Sequence, residues 1–458
     1  MFNGVLIANR GEIALRILRT CRELDIRTIA VYSTADSDSA VLRLADETVC
    51  IGPAPAKRSY CNAAALIEAA RKTGADAIHP GYGFLSENAD FAGICAEEGI
   101  HFIGPPAATL AKLSDKAQAK RVMADTGLPV LPGSEHTVES AAECSDIARH
   151  LGFPLIIKAT AGGGGRGMTI VREKTDLQRA YESTQAAAQA VFGDGQVYVE
   201  RFLEAARHVE VQVLCDGHRN GVYLGERDCS VQWRHQKMLE ETPSPGLSDQ
   251  LRRRMGEASI QAALAVGYVG VGTFEFLLDA DGSFSFMEIN CRLQVEHPVT
   301  EMVTGLDLVR EQLLVAAGYP LEWRQADVSP RGAAMECRIN TEDPTRRFTP
   351  TPGLLEEFVP AGGPFTRVDT HAYAGMRVTP HYDPLLAKVI VWAANRDQVL
   401  VRMTRALKEF RIIGSGVHTT IGFLCEVLAH PLFRDGKHTA SLVEEMLIAS
   451  VGTSGPLP

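Results

Sequence analysis

The residues with the most chemistry to offer concentrate in one stretch, GTFEFLLDADGSFSFMEINCRLQVEHP, at positions 272–298. Two β-rich runs flank Asp281-Gly282, a pair suited to a two-residue hairpin turn. With that turn Ala280 pairs with Ser283, so Glu275 falls opposite Glu288 and Thr273 opposite Asn290. Like charges placed directly opposite on a sheet repel, and a bound cation reverses the sign of that interaction. Two carboxylates and an amide oxygen are hard ligands, suited to magnesium held jointly with nucleotide phosphates. Glu275, Glu288 and Asn290 are therefore candidate metal ligands; a solvated polar face is the plainer alternative. In an extended chain the same parity carries on through Arg292, Gln294 and Glu296. Arg292 offers a planar fork to a carboxylate-like anion, and Glu296 beside it is placed to take a proton from that anion.

A second stretch, KATAGGGGRGM (158–168), holds five glycines within six positions. Gly162, Gly164 and Gly167 satisfy GxGxxG, yet a dinucleotide site needs a helix after that motif. Here an apolar run at 154–159 precedes the glycines and MTIVRE follows them, so they cap a hairpin. Such a tip suits a flap that lays backbone N–H groups over phosphates, with charge from Lys158 and Arg166. A hairpin without a ligand is the bland alternative. RHVEVQVL places His208, Glu210 and Gln212 on one side of a strand, and QWRHQK (232–237) reads as a short basic loop.

The elements that must position these groups alternate clearly near the start. Apolar runs at 5–9, 28–33, 47–52, 77–81 and 101–105 are separated by helical patterns at 12–24, 62–73 and 88–98. That alternation predicts a doubly wound parallel sheet. Its first turn, ANRGEIA, has one glycine where a dinucleotide fingerprint has three. A helix is expected over 107–127, a small α/β unit over 134–204, and mostly strands from 205 onward. Helices are predicted at 396–410 and 419–430, with the last eight residues frayed.

With 458 residues the chain has room for about three domains. Its net charge of −10, with both signs interspersed, argues against a nucleic-acid surface. Ten cysteines without a CxxC pair favour free thiols in a reducing compartment over a disulfide framework or zinc site. No signal peptide and no membrane span are evident, so a cytoplasmic protein is expected.

Taken together, IANRGEIA, HPGYGFLSEN, KATAGGGGRGM, RHVEVQVL, GERDCSVQWRHQK, MEINCRLQVEHPVTEM and ECRINTEDP closely resemble the biotin carboxylase subunit of biotin-dependent carboxylases, over about residues 1–446. The resemblance implies an α/β protein: a biotin-carboxylase N-terminal doubly wound domain (1–113), an ATP-grasp centre (114–330) with a mobile lid (about 131–204), an α+β C-terminal domain (331–446) and a tail (447–458). It implies ATP, two Mg2+ or Mn2+ ions and bicarbonate, with biotin carried on a separate protein. By matching positions, Lys116, Lys158 and the tip Gly163, Gly164 and Gly165 resemble phosphate-binding elements. Glu200, Arg201, Phe202 and Leu203 match the hinge beside adenine, Leu277 its apolar wall, and His208, Gln232 and His235 further nucleotide contacts. Glu275 and Glu288 correspond to the metal ligands, with Asn290 beside them. Lys237, Arg292, Gln294, Val295 and Glu296 resemble the bicarbonate pocket, with Glu296 as base. Arg338 resembles the cation that stabilises the biotin enolate, and Tyr82 lies near biotin.

Two positions depart from the family pattern: Trp233, usually arginine, and Cys291, usually threonine or proline. No AMKM-like biotinylation site occurs, so the expected partners are a biotin carboxyl carrier protein and carboxyltransferase subunits, with a homodimer as assembly. A multisubunit acetyl-CoA carboxylase, in fatty acid biosynthesis, is the leading parent complex; pyruvate and other carboxylases use the same component. The rival classes are a carbamoyl-phosphate-forming ATP-grasp ligase, a regulatory ATP-binding module and a dehydrogenase.

Overall fold

The computed structural model describes residues 1–134, 136–160 and 167–453. The glycine tip, including Gly163, Gly164, Gly165 and Arg166, lies outside the described residues.

The first sheet is parallel throughout, in the order Glu47–Gly52, Arg27–Ser33, Gly4–Ile7, Ala77–His79, His101–Phe102. Val5 and Ile7 enter one apolar core while Leu6 and Ala8 enter another, so both faces are covered, as a doubly wound sheet requires. The strand order reverses at its centre, where Asn9 Nδ2 donates to the carbonyls of Pro80 and Tyr82 at 2.7 Å. Tyr82 and the first turn of helix Gly11–Glu23 thus meet at the carboxyl ends of the strands, where open α/β sheets place their sites.

The helix expected over 107–127 is broken into Ala107–Ser114 and Lys116–Asp125. Asp115 takes an extended conformation between them, and its carboxylate accepts from Gln118 N. Lys116 therefore opens a helix instead of lying inside one. Beyond it, Leu155–Ala159 pairs antiparallel with Met168–Val171 and Val197–Arg201 in a separate three-stranded sheet backed by two helices. The 155↔171 to 158↔168 register bears out a hairpin around the glycine run.

An eight-stranded antiparallel sheet holds the rest together, ordered Phe284–Asn290, Gly270–Leu278, Arg207–Cys215, Gly221–Trp233, Gln236–Thr242, Ala333–Asn340, Leu385–Ala393, Thr366–Thr370. It runs through residues on both sides of position 330. Three helices, Asp249–Ala265, His297–Thr304 and Leu308–Ala316, also lie in the region expected to be mostly strand. Helix Leu442–Thr453 carries order through the first three of the residues expected to fray.

The structure departs from two local expectations. The hairpin turn is not the two-residue Asp281-Gly282 turn: Asp279 N donates to Ser283 O, and Gly282 sits at φ +80°, a three-residue loop with glycine in the left-handed region. That shifts the inner register by one, pairing Leu278 with Phe284 and Phe276 with Phe286. A bulge then inserts Met287 and restores Glu275↔Glu288 and Thr273↔Asn290. The bulge is decisive because strict alternation would have turned Glu288 toward the core with Phe284 and Phe286. The second correction concerns 291–296, which form an irregular connection into helix His297–Thr304 and not a continued strand.

Candidate active site

Strands Arg207–Cys215 and Gly270–Leu278 present three cross-strand pairs: Gln212–Thr273, Glu210–Glu275 and His208–Leu277. Phe274, Phe276 and Leu278 fill the core behind them. Leu277 is partly exposed on the polar face. Into that face reaches Lys237. QWRHQK is a tight hairpin, not a loose loop: Arg234 and His235 take φ of +50° and +62°, and Gln232 pairs with Lys237. The Lys237 ammonium donates to Glu210 at 2.6 Å, Glu275 at 2.8 Å and Glu296 at 2.7 Å. Burial works against its charge, but the three carboxylates hold its pKa well above the ordinary lysine value.

Glu296, wholly buried at the N-terminus of helix His297–Thr304, is shared between Lys237 and Arg338, whose Nη2 lies 2.8 Å from Glu296 Oε2. Burial favours its neutral acid, yet Lys237, Arg338 and Arg227 outweigh that and keep its pKa well below the carboxylate range. So clamped, Glu296 is ionised but weakly basic; an anion that drew those cations away would raise its basicity. Glu275 is likewise held low: burial is outweighed by Lys237 and by His208, whose Nε2 lies 3.0 Å from Glu275 Oε2. Asn290 Nδ2 donates to Glu275 at 2.8 Å, and Asn290 Oδ1 accepts from Arg292 at 2.9 Å. Arg292 also reaches Gln294 Oε1 at 3.1 Å. Thus Arg292, Gln294 and Glu296 meet on one side through an irregular turn rather than by strand parity.

Glu288 stands opposite Glu275 but is paired with Lys116 at 2.6 Å. Each carboxylate has its own cation, so the pair is not left in bare repulsion. Their opposed, all-oxygen donor set fits a hard divalent ion. Lys158 donates to Glu200 at 2.7 Å, and Lys120 contacts the other oxygen of Glu200. Glu200 is thus occupied by lysines at the base of the glycine hairpin. His235 is lowered by burial and then by Lys158, His208 and Lys116, which places these groups within electrostatic reach of one another. Arg201, Phe202 and Leu203 are not drawn into the charged cluster. Arg201 is exposed, and Phe202 N donates to Pro154 O where the small sheet joins the large one. Tyr82 donates to Glu12, and Arg338 lies close enough to influence its ionisation. Lys388 Nζ donates to Val295 O at 2.9 Å and lies 3.1 Å from Glu12.

Several supporting groups escaped the sequence reading. Arg227, fully buried, binds Glu210, Gln212, Thr273 and Thr300. Glu87 holds Arg292 Nε at 2.8 Å and caps Cys291 N. Glu87 lies within HPGYGFLSEN, and Arg227 within GERDCSVQWRHQK, so both signals were in the quoted motifs but without a partner to give them meaning. Both departures pack apolar surface: Trp233 lies 5.8 Å from the Phe348 ring, and Cys291 is buried in the core.

Comparison with known proteins gives matches along most of the chain. Residues 1–110 match the family described as biotin carboxylase, N-terminal domain; 115–324 match carbamoyl-phosphate synthase L chain, ATP binding domain; 336–445 match biotin carboxylase C-terminal domain. A biotin carboxylase from Nostoc is 51% identical over 97% of this chain and 99% of its own. Among solved structures, a biotin carboxylase complex from Campylobacter jejuni superposes with a TM-score of 0.94 at 44% identity, covering 97% of this chain and 99% of that one. The biotin carboxylase domain of Hydrogenobacter thermophilus 2-oxoglutarate carboxylase, solved as a dimer with MgADP, ADP and bicarbonate, gives 0.94 at 44% identity, covering 97% and 98%. A likeness that extends over all three parts of the chain, at about half identity, places it by descent: the chain belongs to the biotin carboxylase family.

Proposed function

We propose that this chain uses ATP and bicarbonate to carboxylate the N1′ of biotin borne by a separate carrier protein. The observation that carries the reading is Glu296 clasped between Lys237 and Arg338, beside the opposed Glu275 and Glu288. Bicarbonate is a poor electrophile and must be activated. In this reading Lys237, Arg292 and Gln294, with the Val295 backbone, bind it as an anion. Glu296 accepts the proton of its hydroxyl, and the resulting oxygen attacks the γ-phosphorus of ATP, releasing ADP and forming carboxyphosphate. Carboxyphosphate breaks down to carbon dioxide and phosphate; the phosphate takes the N1′ proton, and the nitrogen attacks carbon dioxide. Arg338, with Tyr82 nearby, stabilises the negative charge that gathers on the ureido oxygen.

Lys116, Lys158 and the tip Gly163, Gly164 and Gly165 are assigned to the phosphates. Glu200 through Leu203, His208, Gln232, His235 and Leu277 are assigned to the rest of the nucleotide. Glu275, Glu288 and Asn290 would hold Mg2+ or Mn2+, which when bound offsets phosphate charge. The proposed domains are 1–113, 114–330 and 331–446. Carrier and carboxyltransferase partners, a homodimer and a cytoplasmic setting complete the reading; the free thiols of all ten cysteines support a reducing compartment. No helix among the described residues is long and apolar enough to cross a membrane.

The carbamoyl-phosphate alternative shares only 115–324, and Arg338 lies outside that stretch while contacting Glu296. The deciding assay is phosphate release from ATP, with and without bicarbonate and with and without free biotin. A bicarbonate-dependent rate accelerated by biotin is expected. Equal rates with and without biotin would count against the assignment.

A further inference from the structure

The sheet that carries Lys237 and Arg338 also buries a pair of carboxylates that the reaction above leaves unused. Glu240 and Glu336 are direct cross-strand partners, and both are 0% exposed. Glu240 Oε1 accepts from Arg338 Nε at 2.7 Å. Glu240 Oε2 and both oxygens of Glu336 have no hydrogen-bond partner among the described residues. Two ionised carboxylates opposite each other in a dry interior are mutually repulsive, and three orphaned oxygens add a desolvation cost. A single proton removes the like-charge repulsion and relieves most of the desolvation cost: an O–H on Glu336 would donate to the free oxygen of its cross-strand partner Glu240, leaving one Glu336 oxygen unpartnered.

We propose that Glu240 and Glu336 share one proton, and that Glu336, acting through Glu240, is a positioning residue for Arg338. The inference rests on the reading of Arg338 as the group that meets biotin. The charged and titratable groups around the pair come from every element packed against it. Arg338 follows on the same strand, and Lys388 is its partner on Leu385–Ala393. Lys237 comes from the strand of Glu240, Cys229 from the neighbouring strand Gly221–Trp233, Glu296 from the connection before the covering helix, and Tyr82 from the loop after strand Ala77–His79 of the first sheet. His297 on that helix is kept neutral by burial and then by Lys388, Arg16 and Arg367. Burial raises both carboxyls against the pull of these cations, Glu240 to about 7 and Glu336 well above the ordinary range.

With one proton in place, the pair carries one negative charge and offers Arg338 one carboxylate, while Glu296 offers the other. Loss of that proton adds a second negative charge two positions along the strand from Arg338. The guanidinium is then held more strongly by the protein and yields less positive charge to a ligand. The biotin-dependent rate should therefore fall as pH rises through the pair's last ionisation.

Glu336→Gln keeps a donor toward Glu240 but cannot ionise, whereas Glu336→Leu removes the donor. At neutral pH the Gln variant should keep kcat/KM for free biotin within about twofold, and the Leu variant should lose about tenfold. In the Gln variant the alkaline limb of the biotin-dependent rate should move up by about one pH unit or more. The KM for ATP and the biotin-independent rate should hold in both. Infrared difference spectra, parent minus variant, should reveal a buried protonated carboxyl at neutral pH. Absence of that band overturns the shared proton. Gln and Leu variants that behave alike, or an unmoved alkaline limb, overturn the positioning role. A parent that biotin does not stimulate refutes the reading of Arg338 instead, and the infrared result still decides the proton. Should the Leu variant fail to fold, the Gln comparison decides alone.

Discussion

Replacing Lys237 by methionine keeps most of the side chain's volume and removes one charge from the centre of the site. Its ammonium contacts Glu210, Glu275 and Glu296 within 2.8 Å, and its side chain is 9% exposed. Removing one partner of a buried ion pair costs about 3–5 kcal/mol, because the other charge remains uncompensated. Here three carboxylates remain, each with one other cation: Arg227 for Glu210, His208 for Glu275 and Arg338 for Glu296. The lower half of that range is expected at neutral pH. The loss should depend on pH. Lys237 has a raised folded pKa, so its own contribution is complete below the ordinary lysine value and disappears only far into alkali. In the variant one carboxyl takes up a proton. Glu210 is the best placed, since burial and Glu296 already raise it. The folded variant then binds more protons than the unfolded chain, so its stability falls as pH rises above the carboxylate range, by up to about 1.4 kcal/mol per unit. Urea unfolding of ligand-free protein at about pH 5.5 and about pH 8 would measure this, with the gap to the parent widening at the higher value. A gap below about 1 kcal/mol at both would refute the buried-cluster argument, since it would mean that water screens these charges.

Glu288→Gln should leave metal-free stability nearly unchanged, because relief of about 0.2–1 kcal/mol of cross-strand repulsion is offset by loss of the partly exposed Lys116 pair, worth at most about 1 kcal/mol. Thermal melts with and without MgATP would check it; the parent should gain more from the ligand, and an equal gain would remove Glu288 from the metal site. Arg338→Ala should cut the biotin-dependent rate far more than ATP affinity, and an ATP-specific loss would move Arg338 to the nucleotide site. Gly164→Val, at the tip outside the described residues, should raise the KM for ATP by restricting backbone approach, and unchanged ATP kinetics would argue against a phosphate-binding flap.

What the sequence determined by itself was local. Alternating apolar runs are enough to specify a parallel, doubly covered sheet, because each strand's burial is written in its own residues. The opposition of Glu275 and Glu288 was legible for a similar reason, since a hairpin pairs residues close in the chain. Even so, the agreement came from two offsetting departures: a turn one residue longer than Asp281-Gly282, and a bulge at Met287 that returned Glu288 to the site face. Motif resemblance likewise picked out Lys237, Arg292, Glu296 and Arg338 from their neighbours. Tertiary structure alone decided which charges meet. Arg227 with Thr300, Glu87 with Arg292, Lys388 with Val295 and Glu240 with Glu336 join segments tens to hundreds of residues apart. No periodicity encodes those pairings, because they follow from the order of strands in the large sheet, from the seat of helix His297–Thr304 upon it and from the approach of the Glu87 loop to Arg292. Burial did the rest: the same side chains in water would carry ordinary charges, and only removal from solvent makes each one's protonation depend on its neighbours.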